Sequence, residues 1–252
     1  MDTLFETYVI SFVDLLGSRN AIKHDEVQFF LSVYQLLGTA KEMCETYGEQ
    51  LGYSGIEMKA FSDNIVFAHK IPVTMNYDKK CEAIQRVISF TAIFQNLAFN
   101  NGILMRGGIT IGKLCFNEMF VWGGALVDAY DLENTYAIFP RVLVDKKTLE
   151  ALINTDGECK YGIPIYKDFD NQFYINFLGI TAKASSPLII HFAHLRISSL
   201  KTIYKGNAKV LQKIAWTESY IDKFQSECDI SDEMILKAVE RDKRLHDDIM
   251  SG

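Results

Sequence analysis

At 252 residues with 48% hydrophobic side chains, the chain can bury a sizeable core, either as one large domain or as a core with an extension. A net charge of −6 at pH 7 argues against a polyanion-binding surface, because nucleic-acid binders usually carry a basic excess that displaces counterions. The opening MDTLFETYVISFVDLLG lacks a basic n-region and no uncharged apolar run reaches a membrane span, so the expectation is a soluble, cytoplasmic protein with neither nucleic acid nor membrane as partner.

The elements alternate in type along the first half. Residues 8–16 read as a strand, and residues 24–47 as a helix with Val27, Phe30, Leu31, Tyr34 and Leu37 at helical spacing, opened by Asp25 and Glu26 near its positive end. Two short runs, 56–60 and 64–68, flank Phe61-Ser62-Asp63 and predict a hairpin. A helix over 79–100 turns Ile84, Val87, Ile88, Phe94 and Leu97 inward and stops at Asn100-Asn101-Gly102. A strand over 103–111, a helix over 124–135 and a strand over 139–144 follow. This β-α-β-β-α-β order predicts an α+β, ferredoxin-like core with helices on one face of the sheet. After about residue 176 the pattern becomes helical, over 188–196, 201–224 and 232–250. We therefore divide the chain into a core, 1–180, and a helical C-terminal extension, 181–252, packed on the core or on a dimer.

Two carboxylates stand out. Asp14 sits inside the apolar run FVDLLG, where an unpaired charge costs several kcal/mol unless a cation meets it. Asp63 stands ahead of Ile65-Val66-Phe67 in KAFSDNIVFA. In the predicted topology the first strand neighbours the third, so the two can converge on a shared cation. Carboxylates on adjacent strands can hold two divalent ions, one to activate a hydroxyl and one to steady a triphosphate and its leaving pyrophosphate. The plainer alternative is that both are turn residues.

Other candidates are weaker. Cys44, Cys81, Cys115, Cys159 and Cys228 form no zinc-type cluster and read as reduced thiols. His191 and His194 in HFAH have no HExxH-like base nearby and read as ordinary packing or surface residues. Tyr130-Asp131-Leu132-Glu133 reads as helix surface and dimer contact.

Three motifs in order carry a family resemblance. FVDLLG resembles the first-strand motif FxDixGF of class III nucleotidyl cyclases, KAFSDNIVFA resembles their KxxGD hairpin with Ser62 in place of glycine, and MRGGITIGK (105–113) resembles the following strand. The resemblance covers about residues 7–145. It is nearest to the small bacterial pyrimidine cyclases of anti-phage, Pycsar-type defence: there too the hairpin tends toward FSDxI, the next strand toward RGGIxxG, followed by GxALxxAYxLE, here 123–133, and PRV, here 140–142. KIAWTESYIDKF, 213–224, is similar to their C-terminal helix.

The resemblance implies an enzyme that converts a pyrimidine nucleoside triphosphate to its 3′,5′-cyclic monophosphate and pyrophosphate, as a second messenger in antiviral defence. It implies two Mg²⁺ or Mn²⁺ ions on Asp14, Asp63 and the main-chain carbonyl of Leu15, and a homodimer with shared active sites. Lys113 stands where a basic residue meets the triphosphate. Lys59 matches the base-reading lysine, but its partner aspartate corresponds to Phe120, which cannot accept a hydrogen bond from an adenine amine. The asparagine and arginine that steady the transition state correspond to Val127 and Asp131, so Arg141 and Arg106 are the candidate replacements. A lysine donor favours a carbonyl oxygen, hence UTP ahead of CTP. The competing reading is a catalytically degenerate cyclase fold that senses a nucleotide or pairs with a partner. A dinucleotide-cyclase reading lacks a GGDEF-like sequence.

Overall fold

The computed structural model describes residues 4–24, 26–153, 165–181 and 187–251, so Asp25 and Cys159 lie outside the described residues. The chain divides into two compact units, Met1–Phe177 and Leu178–Gly252.

The first unit is α+β. Its elements run β1 (Glu6–Leu15), α1 (Ser18–Lys23), α2 (Val27–Glu45), α3 (Gly48–Leu51), β2 (Ile56–Phe61), β3 (Asn64–Lys70), α4 (Tyr77–Asn100), β4 (Met105–Phe116), β5 (Val121–Trp122), α5 (Gly124–Tyr136), β6 (Val142–Val144), α6 (Lys146–Glu150), β7 (Ile165–Lys167) and β8 (Phe173–Ile175), with α7 (Phe177–Thr181) at the division. The sheet order is β2-β3-β1-β4-β6-β8-β7, with β5 paired to β4. β1 pairs antiparallel with both β3 and β4, and β4 pairs parallel with β6.

β1 is buried on both faces because helices cover both. On one face Phe67 of β3 meets Phe90 and Phe94 of α4, at ring separations of 4.9 and 5.0 Å. On the other, Tyr8, Ile10 and Phe12 pack with Ala125 and Ala129 of α5. This corrects the expectation of helices on one face only. The reason lies in MRGGITIGK: a Cβ at Gly108 would stand 2.5 Å from the Ala129 carbonyl oxygen, and one at Gly112 would stand 3.2 Å from the Ala125 Cβ. The missing side chains let α5 lie directly on β4.

Boundaries shifted where local chemistry overrode periodicity. The strand expected over 103–111 extends to Phe116, and the one expected over 139–144 shortens to Val142–Val144. The β7–β8 hairpin, turned through Asn171 at φ +64°, adds two strands beyond β6 that no alternation in the sequence announced.

The second unit holds α8 (Pro187–Ile203), α9 (Ala208–Glu227) and α10 (Asp232–Ser251). The helix expected from residue 201 begins instead at Ala208, because Gly206 takes φ +92° and the Asn207 side chain accepts from the Val210 N–H to cap α9. Lys201 of α8 pairs with Glu218 of α9 at 2.6 Å. Among the described residues, no helix is long and apolar enough to cross a membrane.

Candidate active site

Asp14 lies near the C-terminal end of β1, flanked in register by Asn64 of β3 and Arg106 of β4. Asp63 lies one residue before Asn64, in the β2–β3 turn. The Leu15 N–H donates to the Asp63 carbonyl at 3.0 Å, which ties the turn to the end of β1. Ser62 reaches φ +59° to make that turn, a left-handed conformation that glycine adopts most readily. The structure thus brings Asp14, Leu15 and Asp63 to one end of the sheet, both carboxylates partly exposed.

These oxygens suit a hard divalent ion. Mg²⁺ is usually held by one or two protein carboxylates, with waters and substrate phosphates completing its shell. Among the described residues no cluster of three or more His, Cys, Asp or Glu side chains forms a fuller metal cage. The Leu15 carbonyl already accepts from the Ser18 hydroxyl at 2.7 Å, but a carbonyl has a second lone pair. His194 meets Gln225 at 3.2 Å, on α8 and α9 of the second unit.

Arg106 is the cation that meets the partly exposed charge of Asp14. Its Nε lies 3.1 Å from Asp14 Oδ2 and 2.6 Å from Glu133 Oε1. Glu133 is only 2% exposed, which corrects its reading as helix surface. A signal was present: Glu133 follows Ala125 and Ala129 at successive intervals of four, on the stripe of α5 that faces the sheet.

Arg141 has a different occupation from the one expected of it. It is 1% exposed, its guanidinium pairs with Asp168 and Asp170, it donates to the Tyr136 carbonyl at 3.2 Å, and it stacks 5.5 Å from the Phe139 ring centroid. A side chain sealed and neutralised in this way is an anchor for the β7–β8 hairpin, and the catalytic assignment of Arg141 is withdrawn. The signal overlooked was the acidic pair in KDFDN, far along the chain. Burial alone would raise the Asp170 carboxyl, but hydrogen bonds from Arg141 and the Gln172 N–H, with the arginine charge, hold it below its ordinary value of 3.8.

Lys59 and Phe120 are brought together. Lys59 Nζ donates to the Glu118 carbonyl and lies 5.9 Å from the Phe116 ring centroid, while Asn117 Oδ1 accepts from the N–H groups of Met119 and Phe120 and shapes the turn that carries the exposed Phe120. Lys59 pairs with Val66, which pairs with Phe12, so it shares the sheet face of Asp14 but sits two strands away, roughly 10 Å across. Lys113 is not brought to the carboxylates: it pairs with Thr7, seven residues along β1 from Asp14 (14 minus 7) and on the opposite face, roughly 23 Å distant. Val127 and Asp131 are exposed on α5.

No family model matches the chain, and no curated protein matches it. Among solved structures, the chain is similar to a bacterial light-regulated adenylyl cyclase, at 13% identity and a TM-score of 0.45, over 75% of this chain and 57% of that one. The chain therefore spans little more than half the length of that protein.

Proposed function

We propose that the chain is a nucleotidyl cyclase that closes a pyrimidine nucleoside triphosphate into its 3′,5′-cyclic monophosphate, releasing pyrophosphate. The observation that carries this reading is the meeting of Asp14 and Asp63 at one end of the sheet, tied by the Leu15 N–H to the Asp63 carbonyl. Two divalent ions, Mg²⁺ or Mn²⁺, on these oxygens would lower the pKa of the attacking 3′-hydroxyl and neutralise charge on the phosphates. The strand order β2-β3-β1-β4 supports a ferredoxin-like, class III core.

Arg106, the candidate cation beside Asp14, steadies charge on the α-phosphate. The working unit is a homodimer in which Lys59 and the turn around Phe120 of one copy complete the carboxylate site of the other. Phe120 offers no acceptor for an amine, and Lys59 keeps two donors beyond its bond to Glu118. UTP is the favoured substrate and CTP the next. The product acts as a second messenger in cytoplasmic antiviral defence.

Incubating the purified protein with Mn²⁺ and each of four nucleoside triphosphates tests this. Cyclic UMP or cyclic CMP should exceed any purine product by at least about tenfold at equal concentration. A best substrate of ATP or GTP would overturn the pyrimidine assignment. No cyclic product from any of the four would leave the second reading, a nucleotide-sensing degenerate cyclase fold, which Val127 and Asp131 at the asparagine and arginine positions favour.

A further inference from the structure

Arg106 stands between two carboxylates that solvent reaches unequally. Asp14 is its partner in register across β1 and β4, on the same face of the sheet, and its side chain is 17% exposed. Glu133 comes from α5, whose close seat on β4 at Gly108 brings it over the same arginine, and its side chain is 3% exposed. The Arg106 Nε–H donates to Asp14 Oδ2 at 3.1 Å, while Glu133 Oε1 stands 2.6 Å from the same nitrogen as an ion-pair contact. An arginine Nε carries a single hydrogen, so the two carboxylates share one donor.

A divalent ion arriving from solvent can reach Asp14 but not the buried Glu133. At Asp14 it would face the positive charge of the guanidinium, which must then either repel the ion or move aside. Glu133 makes that move short. Its oxygen already touches Nε, so a small rotation of the guanidinium carries the N–H from one acceptor to the other, and the arginine exchanges one carboxylate for another without losing its counter-charge. We infer that Arg106 is an ion-gated latch, its Nε–H closed on Asp14 in the ion-free chain and passed to Glu133 when a divalent ion takes Asp14. This inference rests on the reading of Asp14 as an ion ligand and adds a regulation of that same site. Glu133 is a positioning residue in it, acting only through Arg106.

The test follows the Arg106 Nε–H itself by nitrogen–proton correlation NMR of the full chain, with Mg²⁺ as the diamagnetic probe and the signal assigned by its absence from Arg106→Gln. Mg²⁺ should move that signal in the wild-type chain. Asp14→Ala should place it near the Mg²⁺-loaded position with no ion added, because Glu133 is then the acceptor that remains. Mg²⁺ affinity from the same titrations should fall at least about fivefold in Glu133→Gln and rise by a similar factor in Arg106→Gln, and Glu133→Gln added to Arg106→Gln should change it less. Opposite signs separate a latch from lost packing, which would weaken binding in both. Should Arg106→Gln be too unstable to titrate, the Arg106→Gln, Glu133→Gln chain replaces it and should bind Mg²⁺ more tightly than Glu133→Gln alone. An Nε–H signal that Mg²⁺ leaves in place, a Glu133→Gln chain of wild-type affinity, or no Mg²⁺ binding at all would overturn the latch. None of these readouts depends on turnover. Cyclic product from a chain whose Nε–H does not move would end the latch and spare the cyclase reading, and a moving signal in a chain that forms no cyclic product would do the reverse.

Discussion

Glu133 and Arg106 meet at 2.6 Å between α5 and β4, and this pair fixes the guanidinium that also reaches Asp14 at 3.1 Å. One cation therefore serves two carboxylates, one buried and one in the candidate site.

Removing that cation should cost stability. Arg106→Gln leaves the buried Glu133 carboxylate without its guanidinium partner, a change worth about 3 kcal/mol. Adding Glu133→Gln in the same chain should recover more than half of the loss. Chemical denaturation of the three variants checks this, and a double variant no more stable than Arg106→Gln would deny the pair its structural role.

Asp14→Ala and Asp63→Ala should each abolish cyclic-nucleotide formation while keeping a cooperative melt. Loss of Asp14 leaves Arg106 with Glu133, so the fold loses no internal charge balance. Wild-type rates in either variant would end the two-carboxylate reading.

Arg141 gives a pH dependence whose sign is fixed. The Asp170 carboxyl is held below its ordinary value in the folded chain, so its contribution is fully present above about pH 4 and is lost as pH falls through the lower folded value. Arg141→Met should remove the guanidinium that Asp168 and Asp170 share, lower stability by about 3 kcal/mol at pH 7, and flatten the acid limb of the stability curve. Melting temperature measured from pH 2 to pH 7 for both chains checks it.

Gly108→Ala should be costly for a single methyl group. The added Cβ would press on the Ala129 carbonyl at 2.5 Å, and overpacking of that kind costs about 1–3 kcal/mol. The same change at Gly38, which has open space around it inside α2, should stabilise by about 1 kcal/mol through helix propensity.

Shared sites predict complementation. Mixing inactive Asp14→Ala with inactive Lys59→Ala should restore about a quarter of activity, because half of the dimers are mixed and each carries one intact site of two. No recovery from chains shown to exchange would count against a site built from two copies.

The sequence made the core legible where periodicity and turn chemistry agreed. Asp14 and Asp63 were readable because a carboxylate in an apolar strand and one at a hairpin tip are each conspicuous, and the pairing of β1 with β3 follows from element order. Glu133 was overlooked because its helical stripe is made of alanines, which carry little hydrophobic signal. Arg141 was misread because its partners lie beyond β6 on a hairpin with strands of three residues, too short for alternation to show. The α8–α9 break was hidden because one glycine inside a helical pattern is a weak stop signal.

The Lys59 contact with the 117–120 turn goes to the carbonyl of Glu118, a group that every amino acid possesses. Anchoring through the main chain separates holding the turn from what the turn displays. Positions 118 and 120 can therefore change in size and polarity while the turn stays fastened to β2. A lineage carrying this scaffold can explore new side chains on this turn one substitution at a time, without passing through intermediates that lose the turn.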